Sequence, residues 1–225
     1  MLDNPVWSAL NGGQARLGEG GRLARRFRPD VSPFAGVQSA TGVSLQALGA
    51  LLPPGDSVLL VTQEPIPAIA GLHTKHLFDV LQMIDGQDAD GDAESDAVRL
   101  TADDAADMAA LAARTKPGPF GPRTFEMGDY IGLRRNGRLV AMAGERLRVG
   151  RYVEISAVCV DEEFRGQGMA SRLMNRLRRQ ISGRGGVPFL HVRCDAPATR
   201  RLYEKLGFAP RATLNLYQAR GETLA

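Results

Sequence analysis

Apolar and polar positions along the chain change period several times, and the changes mark out a succession of short elements. Near the start, Trp7, Leu10, Leu17 and Leu23 fall at helix-like intervals, interrupted by Gly12-Gly13 and by the glycines of residues 18–21. Residues 44–52 form a second helical run that stops at Pro53-Pro54-Gly55, and residues 57–62 read as a strand closed by Pro65 and Pro67. Residues 75–84 are amphipathic on either period, so their type stays open. Further on, residues 98–100 form a short strand, and Thr101 to Asp104 resembles a capping box that opens a helix with Ala105, Met108, Ala109 and Ala112 on one face. A loop with three prolines, residues 115–122, follows it. Such a loop over a pocket mouth commonly carries selectivity.

The second half is more regular. Residues 130–135, the dipeptide Asn136-Gly137 and residues 138–148 carry a strong hairpin signal. Residues 153–160 (Val-Glu-Ile-Ser-Ala-Val-Cys-Val) read as a buried strand that runs into a glycine-containing turn. Next comes a basic amphipathic helix, with Ala170, Leu173, Met174, Leu177 and Ile181 on one face, Arg172, Arg176 and Arg179 off it, and Gly183 at its end. Residues 188–194 repeat the strand pattern, a helix follows, and residues 211–219 supply a last strand.

Composition narrows the class without naming a chemistry. The 225 residues are 44% hydrophobic and 24% charged, ordinary for a globular protein, and suffice for one large or two small domains. No apolar run approaches the roughly 20 residues that span a bilayer, and the start lacks a signal-peptide pattern, so a cytoplasmic protein is expected, with no membrane partner. Only Cys159 and Cys194 are present, both in expected core strands, which suits reduced thiols. A net charge of +3 is too small to argue for nucleic acid. Arg22, Arg25, Arg26 and Arg28 around Phe27 read instead as a solvated helix end stopped by Pro29. His73, His76 and His191 make no metal spacing with the cysteines, so no metal is expected. Residues 85–97 hold six acidic residues and no aromatic and read as a linker; their glycine does not fall where a calcium loop needs it. The expected division is therefore an α/β module at residues 1–96 and a second domain at residues 97–225.

The turn after residue 160 is where chemistry first suggests itself. Arg165, Gly166, Gln167, Gly168, Met169, Ala170 and Ser171 join a strand to a helix start, where unpaired backbone N–H groups and little side-chain bulk can receive a pyrophosphate. The lysine and hydroxyl of a nucleotide P-loop and the third glycine of a dinucleotide fingerprint are missing. Downstream stands Leu202-Tyr203-Glu204-Lys205-Leu206-Gly207-Phe208. Together these two motifs, at this separation, resemble the GNAT superfamily of acyl-coenzyme A dependent N-acyltransferases, over roughly residues 98–225. The resemblance implies a mixed α/β fold whose mostly antiparallel central sheet is flanked by helices. It also implies transfer of an acetyl or short acyl group from acetyl-coenzyme A or a related donor to a primary amine. The extra N-terminal module is similar to that of the glycine N-acyltransferase branch, where such a module shapes the acceptor pocket.

Within that resemblance, Tyr203 is the expected acid for the departing thiolate; its phenol near pKa 10 lies roughly 1.5 units above a thiol. Glu154, just ahead of the turn, is placed where histone-type members carry a general base, and burial among apolar neighbours should raise its pKa. His191 is the rival base, at a position where ribosomal-protein alanine acetyltransferases carry a glutamate. Backbone groups of Val158, Cys159 and Val160 are implied as partners of the pantetheine arm. Residues 165–171 would hold the pyrophosphate, with Arg172 or Arg176 reaching terminal phosphates. Ala196 departs from the family's asparagine, and the adjacent Asp195 is a candidate helix cap. Without an activated nucleophile, direct attack by the amine is expected. The alternative is a non-catalytic acyl-coenzyme A binding sensor or scaffold. A homodimer through the last strand or the N-terminal module is compatible with the pattern.

Overall fold

The computed structural model describes residues 1–86 and 96–222. In chain order the elements are α1 (Pro5–Leu10), β1 (Gly18–Gly20), β2 (Ala24–Phe27), β3 (Phe34–Val37), α2 (Gly42–Leu51), β4 (Ser57–Thr62) and β5 (Leu72–Asp85). They continue with β6 (Val98–Leu100), α3 (Ala105–Thr115), β7 (Tyr130–Arg135), β8 (Arg138–Val149), β9 (Tyr152–Val160), α4 (Met169–Gly183), β10 (Val187–Arg193), α5 (Pro197–Lys205) and β11 (Phe208–Gly221). The eleven described strands form one sheet in the order β1-β2-β3-β4-β11-β5-β10-β9-β8-β7-β6. Most neighbours are antiparallel; β3–β4 and β9–β10 are parallel. The mixed α/β class expected from the sequence is what forms.

Alternation along the strands sorts the helices onto two faces. Leu190 on β10 and Val153 on β9 pack with α4, whereas their neighbours Phe189 and Tyr152 pack with α1 on the opposite face. Tyr130 and Ile131 divide β7 in the same way, Tyr130 joining Met108 and Leu111 of α3. Local signals place several of these elements. Asn136 and Gly137 take φ of 51° and 80°, the pair of positive values a tight hairpin turn requires. Thr101 and Asp104 exchange the two hydrogen bonds of a capping box.

Other segments differ from expectation because their partners are distant in sequence. The ambiguous run at residues 75–84 is part of β5, held between β10 and β11. Residues 24–27 are not a helix end but β2, paired on both sides by β1 and β3. Arg26 there is neutralised by Glu19 and Asp56 at 2.7 and 3.1 Å. Cys159 is buried as expected, but Cys194 lies just past the end of β10 and is exposed. Of the acidic run, Asp88, Asp90, Asp92 and Glu94 lie outside the described residues. Asp85 closes β5 and meets the buried Arg178 of α4 through two hydrogen bonds of 2.6 and 2.7 Å.

Candidate active site

β9 and β10 run side by side only at their first residues. The parallel ladder pairs Tyr152, Val153 and Glu154 with Val187, Pro188 and Phe189, and there it ends. Beyond Glu154, β9 keeps β8 as its partner while β10 keeps β5, so a cleft opens between them. A bulge accompanies the opening: Ala157 has φ of 53°, a conformation unusual for a residue with a Cβ, and the β8–β9 register shifts there. Its effect is visible in the packing. Ile155 and Val158, three residues apart, both face the α4 side. Val158, Val160, Phe164, Ala196 and Tyr203 are among the half-buried apolar residues packed against the core on that side. The backbone of Val158, Cys159 and Val160 therefore offers a strand edge to which an extended ligand can be added as a partner.

At the end of β9 the chain makes one short helical turn, Glu162–Phe164, and enters α4 through Gly166 and Gly168. Their φ values of 77° and 70° are left-handed, and nothing stands within 4 Å of where a Cβ would be. Glycine is required here by the backbone and not by crowding. Arg165, Gly166, Gln167 and Gly168 are exposed, Met169 is buried under α4, and Ala170 and Ser171 are half-buried in its first turn. Open space, two glycines and the N-terminus of a fifteen-residue helix suit a pyrophosphate. The flanking arginines differ from expectation. Arg172 meets Asp96 at 3.3 Å and Arg176 donates to the Ala97 carbonyl at 2.6 Å, so both turn toward the start of β6. Asp195 does not cap α5; Arg193 holds it through bonds of 2.8 and 2.6 Å.

The floor of the cleft is a polar ladder with one residue from each of five adjacent strands: Arg146 (β8), Glu154 (β9), His191 (β10), Gln82 (β5) and Arg211 (β11). Arg146 donates to both Glu154 oxygens at 2.9 and 2.6 Å, and His191 Nδ1 lies 2.7 Å from Glu154 Oε1. Arg211 donates to the Gln82 carbonyl oxygen at 2.9 Å, which turns the Gln82 amide nitrogen toward His191 Nε2 at 3.0 Å and toward the Leu2 carbonyl at 3.0 Å. That assignment makes Nε2 an acceptor and Nδ1–H a donor to Glu154. Both nitrogens of His191 are engaged.

Glu154 is fully buried, and here the expected direction is wrong. Burial pushes its pKa up, but the charge and hydrogen bonds of Arg146, joined by His191, outweigh burial and hold the carboxyl well below the usual carboxylate range. A carboxylate so held, with three hydrogen bonds to its two oxygens, is a weak base. Tyr203 lies half-buried on α5, its ring edge-on to Phe208 at 6.2 Å, and burial pushes its pKa up to about 12. Burial likewise raises the Cys159 thiol to about 11, so it remains protonated and is no nucleophile. Arg146, Gln82 and Arg211 were not singled out in the sequence. Counting back from the β8–β9 turn at Gly150-Arg151 sets Leu147 opposite Glu154, and only the register shift between Glu145 and Arg148 brings Arg146 there; no sequence signal marks Gln82 or Arg211.

A strand edge left open beside a bulge and a glycine turn into a basic helix are features that can receive a long phosphorylated ligand. Comparison with known proteins agrees. Residues 130–216 match the family model described as FR47-like protein. The N-alpha-acetyltransferase RimI of Mycobacterium tuberculosis (strain ATCC 25618 / H37Rv) is 36% identical over 121 residues, covering 48% of this chain and 75% of that protein. A crystal structure described as a GNAT-family acetyltransferase from Novosphingobium aromaticivorans DSM 12444 superposes with a TM-score of 0.92 at 35% identity, covering 99% of both chains. A GCN5-related N-acetyltransferase from Kribbella flavida, at 16% identity and a TM-score of 0.65, shares the fold over 97% of this chain. The chain belongs to the GNAT superfamily of N-acetyltransferases, and its reaction is transfer of an acyl group from acyl-coenzyme A to an amine. These comparisons do not single out the glycine N-acyltransferase branch, and they lend no support to a non-catalytic binding module.

Proposed function

We propose that the donor is acetyl-coenzyme A and the acceptor the α-amine of a peptide or protein N-terminus, attacked directly without a covalent enzyme intermediate. The observation that carries this reading is the saturation of both candidate bases, Glu154 by Arg146 and His191, and His191 by Glu154 and Gln82. A site with no idle base suits an acceptor that sheds its own proton. Neutralising an α-amine of pKa about 7.7–8.0 at pH 7 costs about 1 kcal/mol, against about 4.6 kcal/mol for a lysine near 10.4. The name of the Mycobacterium tuberculosis relative, an N-alpha-acetyltransferase, supports the same choice.

In this reading residues 165–171 hold the pyrophosphate, and the backbone of Val158, Cys159 and Val160 lies beside the pantetheine arm. The Val158 N–H stabilises charge on the carbonyl oxygen. Tyr203 donates the proton that the thiolate needs on leaving. With its pKa pushed up to about 12 and a thiol near 8.5, that transfer is uphill by roughly 5 kcal/mol, more than an unperturbed tyrosine would face. Glu154 and His191 hold the cleft open instead of taking the amine's proton, which passes to water. Residues 1–96 supply one wall of the acceptor site. Two free thiols, Cys159 and Cys194, suit a reducing compartment, the cytoplasm.

The test is release of free coenzyme A thiol from acetyl-coenzyme A in the presence of paired peptides, one with a free N-terminus and one Nα-blocked but carrying lysine. Stimulation by the free α-amine alone is expected. Equal or greater stimulation by lysine or by a polyamine would overturn the reading.

A further inference from the structure

Tyr130 opens β7 and is buried, yet its hydroxyl has no hydrogen-bond partner among the described residues. The neighbouring strand sets the direction of its ring. Tyr130 faces Gly144 across the β7–β8 ladder, and Gly144 faces Ser156 across the β8–β9 ladder. A Cβ at Gly144 would stand 2.2 to 2.5 Å from three ring atoms, so the ring lies over that glycine. A tyrosine laid across its neighbour carries its hydroxyl toward the next strand, here toward the Ser156–Ala157 bulge where the cleft begins. Arg146, Glu154 and Cys159 all stand near enough to act on the phenol electrostatically.

A second unspent donor is close by. Nε and Nη2 of Arg146 are taken by Glu154, while Nη1 makes no hydrogen bond among the described residues, and the guanidinium sits 4.9 Å over the Phe34 ring. The proline loop covers the same place: Phe120 meets the Tyr130 ring edge-on at 5.8 Å, and Thr124 Oγ1 ties the loop to the Val31 carbonyl at 2.6 Å. Buried donors are rarely left unpaired, because water has been given up with nothing in return. The buried Tyr130 hydroxyl, with the cation of Arg146 beside it and Glu154 already paired, calls for an oxygen acceptor and disfavours a second cationic group beside Arg146.

We infer that Tyr130, with Arg146, reads the carbonyl oxygen next to the acceptor's α-amine, so that the enzyme selects amines bearing a neighbouring amide or carboxylate. The inference rests on the α-amine reading above and names the residues that enforce it. Tyr130→Phe removes the hydroxyl and nothing else. The variant's kcat and KM are measured with a short peptide and with a simple alkylamine of similar size, alongside its affinity for acetyl-coenzyme A and its melting temperature. Unchanged donor affinity and an equal or higher Tm are expected. For the peptide, kcat/KM should fall about 10- to 100-fold, equivalent to about 1.4–2.7 kcal/mol, mainly through KM; for the alkylamine it should stay within about twofold. An equal fall for both acceptors, or no fall for the peptide, would overturn the assignment of Tyr130. A native enzyme that prefers the alkylamine would instead overturn the α-amine reading, which the native measurement alone reveals.

Discussion

Replacing Glu154 by glutamine distinguishes a structural carboxylate from a catalytic base, because the two roles move different observables. Glu154 is fully buried, Arg146 is 14% exposed, and the pair is joined by hydrogen bonds of 2.6 and 2.9 Å. Glutamine keeps the shape but removes the charge, leaving a guanidinium in the interior with no counter-charge. Breaking a buried pair in this way costs about 3–5 kcal/mol, a large share of a total stability of about 5–15 kcal/mol. Replacing both partners by apolar residues of similar volume, Arg146→Met with Glu154→Leu, should recover most of that loss, since neither charge then needs hydration. The assay is urea unfolding of native, single and double variants, combined as a double-mutant cycle, with kcat measured per folded molecule. A coupling energy of at least about 2 kcal/mol is expected, with kcat of the folded Glu154→Gln fraction within about tenfold of native. A Glu154→Gln protein within about 1 kcal/mol of native stability whose kcat falls more than about 100-fold would refute the reasoning and restore Glu154 as the base. The same carboxylate has a pH signature. Its folded pKa is depressed, so its stabilisation is present above the unfolded value near 4.3 and is lost as pH falls below it; Glu154→Gln should flatten that acid limb.

Three further outcomes can be checked independently. Tyr203 has a folded pKa raised to about 12, so it stays protonated and able to donate through the physiological range; its stabilising contribution is full below pH 10 and lost as pH rises toward 12, and Tyr203→Phe should lower kcat by about 100-fold without adding a new limb below pH 10. Gly168→Ala should cost about 1–2 kcal/mol because alanine resists φ of 70°, and the KM for acetyl-coenzyme A should rise; an unchanged donor KM would count against the turn as its binding site. Gly144→Ala should destabilise the fold by about 1–3 kcal/mol by displacing the Tyr130 ring, as read by thermal melting, and a neutral effect would show that the ring is not held there.

Local signals in the sequence were reliable guides to the hairpin, the glycine turn and the helix that follows it. Asn136-Gly137 sets the hairpin, the apolar stripe of α4 meets the sheet at Leu173, Met174, Leu177 and Ile181, and Gly166 and Gly168 take the left-handed conformations a glycine turn implies. What depended on distant partners was not legible. β5 is ambiguous by period because its residues 80–84 are covered on both faces while residues 75–77 are exposed, and its place between β10 and β11 is decided by residues more than a hundred positions away. Glu154 looked like an isolated carboxyl among valine and isoleucine, and on that view burial alone should raise its pKa. Arg146 reverses the sign, reaching it from the next strand through a register shift that no spacing rule reveals. Gln82 and Arg211 enter the same ladder from strands that only the completed sheet brings together.

The most direct test of the central claim is the pH dependence of kcat/KM for two peptides whose N-terminal amines differ in pKa by about one unit, both near the ordinary α-amine range. If no group of the enzyme takes the amine's proton, the ascending limb follows the acceptor, shifting by about one unit between the peptides and keeping its position in a His191→Gln variant. A limb at one fixed pH for both peptides, removed by His191→Gln, would contradict the claim and place the base on the enzyme.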